Sequence, residues 1–274
     1  MNIRSTDSIR LLCFDVDYTL LSDDHQLLPM TEQTIKRLQS QGIKVMLATG
    51  KNLSATRDIV ERLDLNDPLI FTNGCIIQYR DGKIFSQNGL DPDKANKVIQ
   101  LGTARGMEMM VSVPDEIFVK EDGPFFRTME KYGNSNFREI KAWDELGSNL
   151  DRVLKIVFID EDNEKLMDMN DVLENAIPDG IETCHSLPVL LEVLPEGVSK
   201  GSALQEVTRF FNYPREAVIA FGDGNNDIEM IEFAGIGVAM ENATPGLKKV
   251  ADVIVPSNNE EGTAQFLKNI FNLH

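Results

Sequence analysis

Short apolar runs alternate with amphipathic stretches at both ends of this chain. Leu11-Leu12-Cys13-Phe14, Val45-Met46-Leu47-Ala48 and Pro68-Leu69-Ile70-Phe71 read as strands buried on both faces, the kind found inside parallel sheets. Between the first two, Glu32 to Gln41 turns Ile35 and Leu38 inward, with Gly42 placed as a C-terminal cap. A second helix, N-capped by Ser54, carries Ile59, Val60 and Leu63. Strand, helix, strand, helix, strand implies right-handed crossovers and a parallel sheet. The same rhythm returns after Pro195. It gives a helix from Lys200 through about Phe211, a buried strand from Ala217 to Phe221, short strands at Ile236–Ala239 and Val253–Val255, and a closing helix from Glu261 to Phe271.

The middle of the chain breaks this rhythm. Asp81-Gly82 between Cys75–Tyr79 and Lys83–Phe85 is a hairpin signal. Asp91-Pro92 starts a helix, Met107–Val113 and Glu116–Lys120 read as strands, and Phe125–Tyr132 as a helix. Val153–Ile159 is a strand, Glu164–Ala176 an amphipathic helix, and Ile181–Ser186 and Val189–Leu194 a hairpin around Leu187-Pro188. Neighbouring strands without helices between them point to an inserted α+β unit on an antiparallel sheet.

With 274 residues, the chain has room for one large domain carrying such an insertion. Its 27 basic and 44 acidic residues leave a net charge of −17, which argues against a nucleic-acid or anionic-membrane surface. Cys13, Cys75 and Cys184 are odd in number and show no metal spacing, which fits a reducing compartment. No signal-type core or membrane span stands out, so a cytoplasmic protein is the expectation. Three histidines and no G-x-S-x-G argue against a serine triad.

Chemistry gathers at the strand ends. Asp15 and Asp17 fall on the same side if the first strand stays extended past Phe14. Two carboxylates that close require partial protonation or a cation between them, and oxygen ligands favour Mg²⁺. Thr49 and Gly50 end the second strand, able to offer a hydroxyl and an accessible amide. Lys200 opens a helix, where a cation opposes the helix dipole unless an anion binds there. Gly222-Asp223-Gly224-Asn225-Asn226-Asp227 sets carboxylates four apart beside two amides. A dinucleotide turn is the competing reading of that stretch, but Asp223 would repel a pyrophosphate and Asp227 replaces the third glycine. Attack on a phosphate dianion by a carboxylate needs this mixture of cation, lysine and amide.

Asp15-Val16-Asp17-Tyr18-Thr19-Leu20, Ala48-Thr49-Gly50, Ser199-Lys200-Gly201 and Gly222–Asp227 together resemble, in order, the four motifs of the haloacid dehalogenase-like phosphatases. The resemblance is nearest to the Cof-type subfamily, whose large cap lies between the second and third motifs. It implies an α/β fold: a Rossmann-like, doubly wound parallel-sheet core (1–83 and 195–274) with an inserted α+β cap (84–194). It further implies that Asp15 is a nucleophile forming an aspartyl-phosphate, and that Asp17 serves as acid and then base. By the same resemblance Asp15, the Asp17 carbonyl and Asp223 hold Mg²⁺, Asp227 supports the metal's waters, and Thr49, Gly50, Lys200 and Asn226 bind phosphate. Tyr18 stands where Gly is most usual, and Lys51 where Arg is common.

The expected activity is a Mg²⁺-dependent phosphatase of small phosphorylated metabolites, sugar phosphates foremost. A phosphomutase and a non-catalytic phospho-aspartate receiver are the alternatives. Asp17 favours turnover over storage, and the long insertion exceeds a receiver's needs. Arg127, Lys131, His185 and Glu192 are cap residues that could meet a leaving group or be merely structural.

Overall fold

The computed structural model describes residues 6, 8–114, 116–121, 137–185 and 189–273. Two compact units emerge, one from Met1–Gly50, Arg57–Phe85 and Ser199–His274, the other from Lys51–Thr56 and Ser86–Val198.

In the first unit, strand β1 (Leu11–Phe14) is buried along its whole length. The strand ladder stops there, although Asp15 itself is still extended. Residues Val16–Leu20 wind into a tight turn closed by the Leu21 N–H on the Val16 carbonyl at 2.9 Å, with Tyr18 left-handed at φ 58°. Asp17 is therefore not the next residue but one on a continuing strand, and the alternation expected past Phe14 does not hold. Helix α1 (Pro29–Ser40) begins three residues earlier than its apolar pattern suggests, because Pro29 supplies a pre-set helical φ at the first position. Strand β2 (Lys44–Leu47) follows. Helix α2 (Leu53–Arg62), of which residues 57–62 belong to this unit, is capped by Asn52, whose Oδ1 accepts the Ala55 N–H at 3.0 Å; Ser54, expected to be the cap, lies inside the first turn. Strand β3 (Leu69–Phe71) meets the parallel sheet through one bridge, Ala48 to Ile70. Its ladder partner is β4 (Ile76–Gln78), antiparallel, and the Gly82 turn leads on to β5 (Ile84–Gln87). The third strand thus belongs mainly to a small ribbon, because Thr72, Asn73 and Gly74, all at positive φ, turn the chain straight back.

The second unit contains helix α3 (Pro92–Ala104), capped by Asp91, then β6 (Glu108–Ser112), β7 (Ile117–Lys120), β8 (Phe137–Ile140) and β9 (Lys155–Ile159). Helix α4 (Asn163–Ala176), β10 (Ile181–Cys184) and β11 (Leu190–Pro195) complete it. The strands form one sheet in the order β10-β11-β9-β6-β7-β8. Its pairs are antiparallel except β7–β8, which is parallel, so the sheet is mixed rather than purely antiparallel. Strand β8, largely exposed and with little apolar alternation, gave no signal in the sequence. The expected helix at 125–132 and turn at 187–188 lie outside the described residues, as do Arg127 and Lys131. One sheet face carries Val111, Phe118, Ile156, Phe158, Leu191 and Val193 into a core with α3 and α4. Met110, Ile117, Val119, Val157, Ile159 and Leu190 form a second buried cluster. Glu192 is buried on Lys155, 2.6 Å from its Nζ.

The chain re-enters the first unit at α5 (Lys200–Phe210), followed by β12 (Val218–Gly222), α6 (Ile228–Phe233) and β13 (Ile236–Met240). Helix α7 (Pro245–Val250), β14 (Val253–Val255) and α8 (Gly262–Ile270) close it. The parallel sheet runs β14-β13-β12-β1-β2. Strand β1 lies between β2 and β12 with Phe14 level with both Leu47 and Phe221, whose ring it stacks on at 4.7 Å. Chain order reverses direction at β1, and the carboxyl ends of strands at such a switch point are where open α/β sheets bind ligands. Among the described residues no helix is long and apolar enough to cross a membrane.

Candidate active site

Asp15 leaves the end of β1, and its N–H is held by the Phe221 carbonyl of β12 at 2.9 Å. Facing it is Lys200, the first residue of α5. Ser199 caps that helix, its Oγ accepting the Ser202 N–H at 3.1 Å. The Lys200 ammonium, 1% exposed, donates to Asp15 Oδ1 at 2.6 Å and to Asp227 Oδ1 at 2.7 Å. The other oxygen of Asp227 accepts the Asp223 and Gly224 N–H groups at 3.0 and 2.9 Å, which folds the loop after β12 around it. Gly222 is required at the approach: a Cβ there would stand 2.6 Å from the Asp227 carboxylate. Asp223 Oδ1 accepts the Thr19 hydroxyl at 2.8 Å, which ties this loop to the turn after β1.

Carboxylate oxygens of Asp15, Asp223 and Asp227 lie within 4.8 Å of one another. Burial pushes the Asp15 carboxyl well above the usual carboxylate range; Lys200 pulls it down, while Asp227 and Asp223 add to the rise. Burial and then the Asp227 charge lift Asp223 to about 7. For Lys200, burial acts to lower the pKa, but Asp15 and Asp227 outweigh it and hold the ammonium above its ordinary value. One buried cation against three carboxyls leaves an excess of negative charge in an all-oxygen set, and a hard divalent cation fits it. Beneath the site, burial raises the Cys13 thiol, which keeps it protonated and unreactive.

Of the other residues singled out in the sequence, Asp17 stands outside this carboxylate group, with its Oδ1 3.2 Å from His25 Nδ1. Thr49 is buried at the end of β2, its N–H on the Ile70 carbonyl and its carbonyl accepting the Asn73 N–H, both at 3.0 Å. Asn226 Nδ2 donates to Asn73 Oδ1 at 3.0 Å. Asn73 thereby joins Thr49 and Asn226, a role the sequence gave no reason to assign beyond an Asn-Gly pair closing a strand. Thr19 and His25 join these contacts with no role assigned to either from the sequence. Thr19 was legible as the hydroxyl four residues after Asp15; nothing marked His25. Asn242 Nδ2 holds the Tyr18 carbonyl at 2.8 Å. His185 is half-buried, and neither it nor Lys51 belongs to the unit that carries these groups.

The chain matches the family described as haloacid dehalogenase-like hydrolase over residues 12–267. It is 33% identical to an HMP-PP phosphatase of Escherichia fergusonii over 239 residues, covering 87% of this chain and 86% of that protein. It is 28% identical to a 5-amino-6-(5-phospho-D-ribitylamino)uracil phosphatase of Bacillus subtilis, covering 96% and 98%. Among solved structures, a haloacid dehalogenase-like hydrolase from B. subtilis superposes with a TM-score of 0.87 at 26% identity, covering 96% of this chain and 100% of that one.

Proposed function

Because the chain belongs to the haloacid dehalogenase-like hydrolases, we propose that it is a Mg²⁺-dependent phosphatase of small phosphorylated metabolites, sugar phosphates foremost, acting through an aspartyl-phosphate. The observation that carries this reading is the Asp15 carboxylate at the switch point of the sheet, held 2.6 Å from a fully buried lysine. Phosphatases are named among its relatives. In this reading residues 1–83 and 195–274 are the catalytic core and 84–194 the cap. The free cysteines fit a reducing cytoplasm.

In the first step an Asp15 oxygen attacks phosphorus as the bond to the leaving oxygen breaks. Asp17 gives its proton to the departing alkoxide, so an alcohol leaves and Asp17 is left as carboxylate. In the second step Asp17 takes a proton from water, whose oxygen attacks phosphorus and frees Asp15 and inorganic phosphate. Lys200 neutralises charge on the attacking carboxylate and the phosphoryl oxygens. Thr49, the Gly50 amide and Asn226 orient those oxygens. Mg²⁺, held by Asp15, the Asp17 carbonyl and Asp223 and supported by Asp227, would supply charge neutralisation between nucleophile and phosphoryl group.

Release of inorganic phosphate from a panel of phosphate monoesters, with Mg²⁺ or with EDTA, tests the proposal. Asp15→Asn keeps the shape and removes the attacking charge, and turnover should fall by about three orders of magnitude or more. A folded Asp15→Asn protein with near-normal turnover would contradict the mechanism.

A further inference from the structure

The turn after β3 is built in an uncommon way. Thr72, Asn73 and Gly74 all sit at positive φ, at 53°, 55° and 98°. A left-handed β-branched residue such as Thr72 is a genuine outlier, and strain of this kind persists only where the surroundings over-determine it. Here the surroundings are the site itself. A Cβ on Gly74 would come within 2.2 Å of the Ser199 carbonyl, so the turn abuts the start of the Lys200 helix. The Asn73 N–H is bonded to the Thr49 carbonyl at 3.0 Å. A Cβ on Gly50 would stand 3.1 Å from Asn73 Oδ1, and that same oxygen accepts the Asn226 amide at 3.0 Å. Asn73 is 2% exposed, and it touches three of the groups assigned to the phosphate: Thr49, Gly50 and Asn226.

We propose that Asn73 is a positioning residue for the phosphate site: its side-chain carbonyl fixes the Asn226 carboxamide in the orientation that presents a donor to a phosphoryl oxygen. The inference rests on the phosphatase reading and goes beyond it. An asparagine amide can rotate by half a turn and exchange donor for acceptor at little steric cost. A hydrogen bond to a second carboxamide that is 2% exposed sets a cost on that rotation, because turning Asn226 alone would face two carbonyl oxygens. With Asn73 Oδ1 as the acceptor, Asn226 meets it through its NH₂, whose second hydrogen is left to point elsewhere. Fixed donors of this kind need no reorganisation when phosphoryl charge develops.

The test uses Asn73→Gly, because glycine keeps the left-handed backbone while deleting the acceptor. Turnover of a phosphate ester and binding of inorganic phosphate by calorimetry, both with Mg²⁺, are measured for wild type, Asn73→Gly, Asn226→Ala and the double variant. Each single change should lower kcat/KM by about 10- to 30-fold, in the range for loss of a charge-assisted hydrogen bond. Phosphate affinity should weaken alongside. In the double variant the loss should stay within about twofold of the worse single change, because both remove one device. Losses that multiply, or an Asn73→Gly enzyme as active as wild type, would overturn the proposal. Should the glycine variant not melt cooperatively, Asn73→Ser, whose hydroxyl is too short to reach Asn226, runs the same cycle. Asp15→Asn separates the two claims. If it is inert while Asn73→Gly is normal, only the positioning role fails; if wild type releases no phosphate, the phosphatase reading fails.

Discussion

The Lys200 ammonium, 1% exposed, lies 2.6 Å from Asp15 Oδ1. With Asp227 at 2.7 Å on its other side, it is a cation shared by two buried carboxylates. Breaking a buried pair by removing one partner strands the other charge, at a cost of about 3–5 kcal/mol. Lys200→Met, which keeps the stem's bulk, should therefore lower unfolding free energy in EDTA by that amount and abolish turnover. Urea denaturation measures the first effect. A loss below about 1 kcal/mol would show that the two carboxylates release their charge by taking up protons instead.

The acidic cluster predicts a pH signature. Asp223 is pushed up to about 7, by burial first and then by Asp227, and Asp15 shifts the same way. A folded pKa above the unfolded one means that the folded state holds more protons in between. This contribution is fully present below an unfolded pKa of about 4 and is lost as pH rises to about 7. Mg²⁺ would displace those protons, so the Tm difference between Mg²⁺ and EDTA should widen from about pH 5 to about pH 7.5. A difference independent of pH across that window would count against a cation in this cluster.

Asp223 and Asp227 should separate by what they do when lost. Asp227 is fully buried and bonds two backbone amides and Lys200, so it builds the loop. Asp223 is partly exposed and meets Thr19. Asp227→Ala is expected to cost about 3 kcal/mol or more of stability, because it leaves a buried cation and two N–H groups short of partners. Asp223→Ala should fold normally and weaken Mg²⁺ activation. Thermal melts beside Mg²⁺ titrations of activity decide the matter, and a stable Asp227→Ala protein would reverse the assignment.

Tyr18 occupies left-handed backbone at φ 58°, which a residue with a Cβ adopts at a cost of about 1–2 kcal/mol. Its ring lies 6.3 Å from that of His25, centre to centre. Tyr18→Gly and Tyr18→Ala lose the same ring, but only glycine escapes the backbone cost. The glycine variant should thus be more stable than the alanine variant by about 1 kcal/mol in denaturant titrations. Equal stabilities would mean that the turn relaxes without its ring.

The parallel sheet was legible because β1, β2 and β12 are apolar at nearly every position, a pattern that only burial on both faces explains. The four motifs were legible because charged groups at strand ends have few structural uses. What escaped was set by tertiary context. Strand β3 has the composition of a core strand, yet its neighbours after Phe71 turn it into a ribbon. Asn73 and His25 make their contacts with residues far away or around a turn, and neither has a local pattern to announce it. Asn52 rather than Ser54 caps α2, and both are competent cap residues that the sequence alone does not rank.

The order of the parallel sheet also sets a timetable for synthesis. Strand β1 pairs Leu11 with Val218, so at about 5–20 residues per second a ribosome makes the second neighbour roughly 10–40 s after the first strand. Through most of that interval the nascent protein carries Asp15 on an apolar strand with one open edge, since Lys200 comes only 18 residues before Val218 and Asp227 comes after it. The intervening unit is delivered whole before the sheet that flanks it in sequence can close. A chain terminated before α5 would therefore present a sticky strand edge to chaperones and proteases while lacking the lysine that pairs with Asp15.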